Sequence, residues 1–263
     1  MTQTSMRIAG NEGGLSRLVL TQPERGNPID GDFCDEWADA AITLSSDPET
    51  RAILLLAEGK NFSVGGDITT FVRNLDALPQ LIKRWAADFH AGTSRLQRAD
   101  APLVAAVQGI CAGGAVSVIA GADYVVAAAG AQFVSAYTGL GYCCDGGASV
   151  LLSRRMGQAR AKRFLMLREN LTAEQALAAG LVDEVVPADE LGARAEAVAL
   201  RLAEGPTRAY GELKRLFVSA GDTALEAQLE LEALALARCA GTADAREAIQ
   251  AFAEKRKPIF KGH

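Results

Sequence analysis

The segment LGYCCDGGAS (140–149) sets a single carboxylate, Asp145, between a cysteine pair and a glycine pair, in a part of the chain otherwise poor in charge. In apolar surroundings a carboxylate becomes a stronger base, because burial disfavours its ionised form. An aspartate ahead of a helix is also a common N-cap, and a helix is expected from about Gly147. From these residues alone both readings stand. Two further glycine pairs could work with such a base. They lie in KNFSVGGDI (60–68) and QGICAGGAVS (108–117), each just after a short apolar run. Glycine lets the backbone approach a ligand and leaves its amide N–H unshielded. Two such amides aimed at one oxygen would form an oxyanion hole; the alternative is a pair of ordinary tight turns. Neither is a dinucleotide site, because G-x-G-x-x-G is absent.

The elements that must position these loops are legible in the hydrophobic pattern. MRIAGNEGGLSRLVLT (6–21) reads as two strands joined by a glycine turn, and RAILLLAEG (51–59) and LVAAV (103–107) read as buried strands. Between the first two lies a helix with Phe33, Trp37, Ala40, Ala41 and Leu44 on one face and Asp30 as N-cap. Residues 76–99 form another helix, GGAVSVIAG (113–121) a short one, and DYVVAAA (123–129) a strand. Repeated strand-then-helix units imply an α/β layer arrangement. From about Ala159 the sequence turns to good helix formers, with helices expected over 188–204, 206–219, 222–240 and 243–255. Gly205-Pro206 divides a core of 1–204 from a helical region of 205–263. In 224–236 the leucines cover more than one face, which points to a core helix and to burial against another subunit.

Composition narrows the function classes. A net charge of -5 disfavours a polyanion-binding surface, although SRRMGQARAKR (153–163) is a local basic cluster, read as an exposed helix face. Five cysteines without C-x-x-C spacing read as reduced thiols rather than a metal site. MTQTSMRIAG lacks the charged-then-apolar pattern of a leader, and no apolar run approaches the ~18–20 residues of a membrane span. A cytoplasmic location is expected.

ADAPLVAAVQGICAGGA, the F-S-V-G-G-D loop, AQFVSAYTGLGYCCDGGAS and LTAEQALAAGLVDEVV together resemble the crotonase (enoyl-CoA hydratase/isomerase) superfamily, from QPERGNP near the start to FAEKRKPIF near the end. The resemblance implies a spiral of repeated ββα units with a helical C-terminal trimerisation region, and a homotrimer or hexamer. It implies acyl-CoA substrates, no metal and no cofactor beyond the coenzyme A of the thioester. It places the oxyanion amides on Gly66 and Gly114, sets Val64 and Ile68 by the adenine of coenzyme A, offers Arg25 to the nucleotide, and offers Lys257 of a neighbouring subunit to a phosphate.

The departures from the family pattern are informative. Hydratases of the family use two glutamates, and their positions fall here on Ser117 and Tyr137. Neither is a carboxylate, whereas hydration needs one group to activate water and another to protonate carbon. Asp145 stands where ring-1,2-epoxyphenylacetyl-CoA isomerases and related enoyl-CoA isomerases carry a catalytic aspartate, with Cys144 in place of the usual proline. The resemblance therefore implies an isomerase with Asp145 as acid and base and with Tyr137 or His90 assisting. Two alternatives remain. The 4-halobenzoyl-CoA dehalogenases use an aspartate nucleophile at this place and a histidine base where this chain has His90. A non-catalytic thioester-binding or RNA-binding protein of the same fold is the other.

Overall fold

The structure is a computed structural model that describes residues 4–263. Residues 1–3, which open the stretch read for a leader, lie outside the described residues.

The chain winds through successive turns, each beginning with a strand of one main sheet. Strands β1 (Met6–Glu12) and β2 (Leu15–Leu20) form an antiparallel hairpin across Gly13 and Gly14, both at positive φ. The short β3 (Pro28–Ile29) leads into α1 (Gly31–Ser46). Asp30 caps α1 by accepting from the Phe33 N–H at 3.0 Å, and the helix buries the five residues its spacing predicts, with Cys34 beside them. The second turn comprises β4 (Ala52–Ala57), β5 (Gly65–Gly66), α2 (Ile68–Arg73) and α3 (Leu78–Arg98). Pro79 lies in the first turn of α3, where a missing N–H costs nothing, so the helix starts at the proline rather than breaking there. The third comprises β6 (Leu103–Val107), β7 (Ile110–Ala112) and α4 (Gly114–Ala120). The fourth comprises β8 (Tyr124–Ala128), β9 (Gln132–Val134), α5 (Ala148–Met156) and α6 (Gln158–Met166).

The helical texture after Ala159 is interrupted by two strands that the sequence reading does not separate. The first, β10 (Asn170–Thr172), pairs with β9; α7 (Ala173–Ala178) follows, and then β11 (Glu184–Val186) pairs with β8. Both strands have three residues, too short for a period-of-two pattern to register. The helices α8 (Leu191–Ala203), α9 (Thr207–Ser219), α10 (Leu225–Ala240) and α11 (Ala243–Ala253) complete the chain.

The main sheet has the order β1-β2-β4-β6-β8-β11 and is parallel apart from its first hairpin. Its strands read as unbroken apolar runs because both faces are covered. Ile53, Leu55, Leu103, Ala105 and Val107 face the core that holds α1, α3 and α4. Their alternates Ala52, Leu54, Val104 and Ala106 face a second core closed by Leu191, Ala195, Ala199 and Ala203 of α8.

This sheet places the two glycine loops. Because β4 and β6 are parallel neighbours, the chain leaves both at the same edge. There Ser63 bridges to Cys111, its N–H donating to Ile110 O while the Ala112 N–H donates to Ser63 O, both at 3.0 Å. The second strands of the turns, with β10 added at one edge, thus form a smaller layer in which the Ser63–Cys111 bridge links β3-β5 to β7-β9-β10.

Candidate active site

Gly66, Gly113, Gly114, Tyr137 and Asp145 line one cavity of about 200 Å³. Gly65 (φ 81°) and Gly113 (φ 53°) occupy backbone conformations that favour glycine, and a Cβ on Gly65 would lie 2.8 Å from Ala112 O. The first loop can therefore approach the second as closely as it does because Gly65 carries no side chain at the contact. Gly114 opens α4, where a backbone N–H has no intrahelical partner.

Asp145 does not cap the following helix. Gly147 is the N-cap of α5 and no side chain bonds there, so the capping alternative is excluded. Its carboxylate instead turns to Tyr137, whose phenol donates to Oδ1 at 2.7 Å. Burial, and then the charge of Asp145, push the Tyr137 phenol above its ordinary range, which keeps it protonated and a donor. Oδ2 has no hydrogen-bond partner among the described residues. The two glycines after Asp145 are required by the turn. Gly146 (φ 59°) and Gly147 (φ 83°) are both left-handed, and a Cβ on Gly146 would lie 2.5 Å from the Phe89 ring.

Ser117, one turn into α4 and fully buried, donates to the Asp145 carbonyl at 3.0 Å and lies 3.1 Å from the Tyr137 hydroxyl. In the sequence Ser117 stands out only as an absent glutamate. His90, on α3, accepts the Gly146 N–H on Nε2 at 3.0 Å and is not among the cavity-lining residues.

The rest of the wall is apolar. Phe71 of α2 stacks on Trp85 of α3 with ring centroids 6.4 Å apart and meets Tyr142 edge-on at 6.1 Å. Ile29, Ile82, Phe89 and Leu140 complete the lining. An apolar cavity of roughly 150 Å³ takes up benzene, so this one has room for a short or ring-bearing acyl group. The sequence does not reveal that Phe71 and Trp85 join Tyr142 in this wall, because the three come from separate segments, related only through the packing of α2 and α3 against the 140s loop. Three thiols, Cys34, Cys143 and Cys144, also reach the lining. Burial pushes the Cys34 thiol up to about 12, with Asp145 adding to the effect, so it stays protonated.

The other site expectations fall outside the cavity. Val64 and Ile68 are exposed on either side of the first loop, Val64 packing close over Gly26. Arg25 bridges Asp30 at 2.9 Å and Asp67 at 2.6 Å, so its charge is already shared between two carboxylates. Burial raises the Asp67 carboxyl, but Thr70 and Arg25 outweigh it and hold the group below its usual value. Lys257 is 88% exposed, 3.9 Å from Glu204. The basic cluster at 153–163 is not an unpaired helix face: Arg155 pairs with Asp183, and Arg160 and Arg163 share Glu169. Among the described residues no group of three or more His, Cys, Asp or Glu could hold a metal ion.

Comparison with known proteins decides the family. The sequence profile of enoyl-CoA hydratase/isomerase matches residues 10–263. The chain belongs to the enoyl-CoA hydratase/isomerase family. Within it the chain is 34% identical over 254 residues to the 1,2-epoxyphenylacetyl-CoA isomerase of Escherichia coli, covering 95% of this chain and 96% of that one. It is 30% identical to the crotonyl-CoA hydratase of Syntrophomonas wolfei, with 96% of both chains covered. The crystal structure of an enoyl-CoA hydratase from Polaromonas superposes with a TM-score of 0.91 at 28% identity, over 97% of this chain and 99% of that one. The crotonase fold is thus shared along the whole length. Isomerases and hydratases of the family both match, so the choice between them rests on the chemistry of the cavity. No helix is long and apolar enough to cross a membrane among the described residues.

Proposed function

We propose that this enoyl-CoA hydratase/isomerase family member is an enoyl-CoA isomerase, shifting a double bond through a thioester enolate. The observation that carries the reading is that, among the described residues, Asp145 is the sole carboxylate lining the cavity. Hydration needs two proton-handling groups, one for water and one for carbon. Moving a double bond needs only one, because the proton removed can be returned by the same group.

In this reading the thioester oxygen of a 3-enoyl-CoA lies against the Gly66 and Gly114 amides. Oδ2 of Asp145 takes a proton from C2, and the electron pair left behind delocalises onto the thioester oxygen. The amides stabilise that charge by several kcal/mol on typical mutational scales. Returning the proton to C4 gives the conjugated 2-enoyl-CoA, with atoms and charge balanced. Tyr137 holds Oδ1 throughout, so that one carboxylate oxygen is left to face the substrate.

The reaction draws on no metal and no cofactor beyond the coenzyme A of the substrate. Val64 and Ile68 form the rim on which its adenine rests, with Arg25 beside the first loop and Lys257 reaching a phosphate from a neighbouring subunit. The exposed apolar residues of α10 and α11, among them Leu229, Leu236, Ile249 and Phe252, support assembly into a trimer or hexamer. A coenzyme A thioester as substrate, together with five free cysteines, supports a cytoplasmic location.

A dehalogenase would require His90 to activate water, and its Nε2 is engaged by Gly146. RNA binding would require free cations, and most of the arginines at 153–163 are paired. The test is a screen of 3-enoyl-CoA, 2-enoyl-CoA and 4-halobenzoyl-CoA thioesters against the wild type and Asp145→Asn. Double-bond migration with little hydration, lost in the variant, is the expected result. Brisk hydration, halide release, or full isomerase rate in the variant would overturn the proposal.

A further inference from the structure

Ser117 and His90 touch the same peptide group. The bond joining Asp145 to Gly146 offers its carbonyl to Ser117 Oγ at 3.0 Å and its N–H to His90 Nε2 at 3.0 Å. In a trans peptide these two groups point in opposite directions, so a plane held at both ends cannot rotate without breaking a hydrogen bond. The side chains doing the holding sit on different helices, Ser117 on α4 and His90 on α3. Both helices contribute to the main core, through Val116 and Phe89 among others, and are therefore fixed relative to each other.

We propose that this double grip on the 145–146 peptide aims the catalytic carboxylate, making Ser117 and His90 positioning residues of the reaction. The proposal rests on Asp145 being the acid and base. The segment needs such a grip, because the two residues after Asp145 are glycines in the left-handed region, where a chain without side chains is freest to swing. Tyr137 orients the carboxylate about its own side-chain bonds, whereas Ser117 and His90 fix the backbone from which that side chain projects. Removing any one of them leaves the acid present but unaimed, and a displacement of about 1 Å can cost roughly 100-fold in rate.

The grip assigns the state of His90. A ring nitrogen that accepts an N–H carries no proton, so the neutral ring holds its hydrogen on Nδ1. A histidine used in this way is an acceptor for the backbone and does not deliver a base to the cavity.

Two measurements test this, and they fail separately from the proposed function. Long-range proton–nitrogen correlation spectra of the ¹⁵N-histidine-labelled protein at pH 8.5 report the tautomer. The chain has two histidines, so His90→Gln assigns the signals. The Nδ1–H form is expected for His90, and a dominant Nε2–H form overturns the grip. The second measurement is isomerisation of a 3-enoyl-CoA, with deuterium uptake at C2 from D₂O as the readout of proton removal. His90→Ala and Ser117→Ala are expected to lower kcat and deuterium uptake by about 10- to 100-fold, with KM within about twofold and an unchanged melting temperature. His90→Gln, whose Oε1 can accept the same N–H, is expected to recover most of the loss. An alanine variant as fast as wild type, or a glutamine variant as slow as alanine, overturns the proposal. A wild-type protein inert toward every thioester overturns the function proposed above, and the tautomer then decides the grip alone.

Discussion

The Tyr137 hydroxyl donates to Oδ1 of Asp145 across 2.7 Å and lies 3.1 Å from Ser117 Oγ. A hydrogen bond to a charged group contributes about 1.5–3 kcal/mol. Tyr137→Phe keeps the ring in the cavity wall and removes only the donor. We expect kcat for 3-enoyl-CoA to fall by about 10- to 100-fold with a melting temperature close to wild type, compared by steady-state kinetics and calorimetry.

Gly146 combines a φ of 59° with a Cβ position 2.5 Å from the Phe89 ring. Gly146→Ala therefore meets both backbone strain and a clash with a fully buried aromatic. A loss of about 1–3 kcal/mol in stability is expected from denaturant unfolding. Activity should fall further than stability does, because the substitution moves the peptide attached to Asp145. Gly157→Ala is the control. It is also at positive φ, but its Cβ would meet nothing within 4 Å. It should share the strain and spare the chemistry.

Glu212 lies under Arg238 and Arg215 and ties α9 to α10. Hydrogen bonds from Arg238 lower its carboxyl; burial opposes them, Arg215 adds to them, and the group ends at about 2. A folded value below the unfolded one gives stability that is present above the ordinary carboxylate range and disappears as pH falls towards 2. Glu212→Gln should therefore melt below wild type at pH 7, and the gap should close between about pH 5 and 2. A gap of constant size across that range would contradict the assignment.

The apolar residues left uncovered on α10 and α11 predict an assembled protein. Phe252 is 87% exposed and Leu236 72%, far more than a lone soluble chain ordinarily leaves open on adjoining helices. Light scattering should give a mass above that of one chain. Phe252→Glu and Leu236→Glu should lower it without disturbing the Asp145 cavity, which these residues do not line.

The parts of the fold that were legible in the sequence are those that repeat a pattern for long enough. The α1 face from Phe33 to Leu44 and the strands at 52–57 and 103–107 carry apolar periodicity or sustained apolar runs, and the burial follows them. The short strands β10 and β11 carry no such signal and exist because β9 and β8 offer them an edge. At the site, the glycine pairs and Asp145 were readable from residue type. The contacts of Ser117 with Asp145 and of His90 with Gly146 were not, since they join distant positions through packing that no local pattern encodes. The position of Asp145 ahead of a helix even favoured a cap, and two left-handed glycines turned it elsewhere.

The bridge between Ser63 and Cys111 stitches the two amide-bearing loops together before any ligand arrives. Ordering a flexible loop around a substrate would draw on the binding energy, and here that entropy has already been lost during folding. The free energy of docking a thioester is accordingly left to the acyl and nucleotide ends of the molecule, and variation among relatives in what they accept should collect in α2, α3 and the 140s loop rather than at the amides.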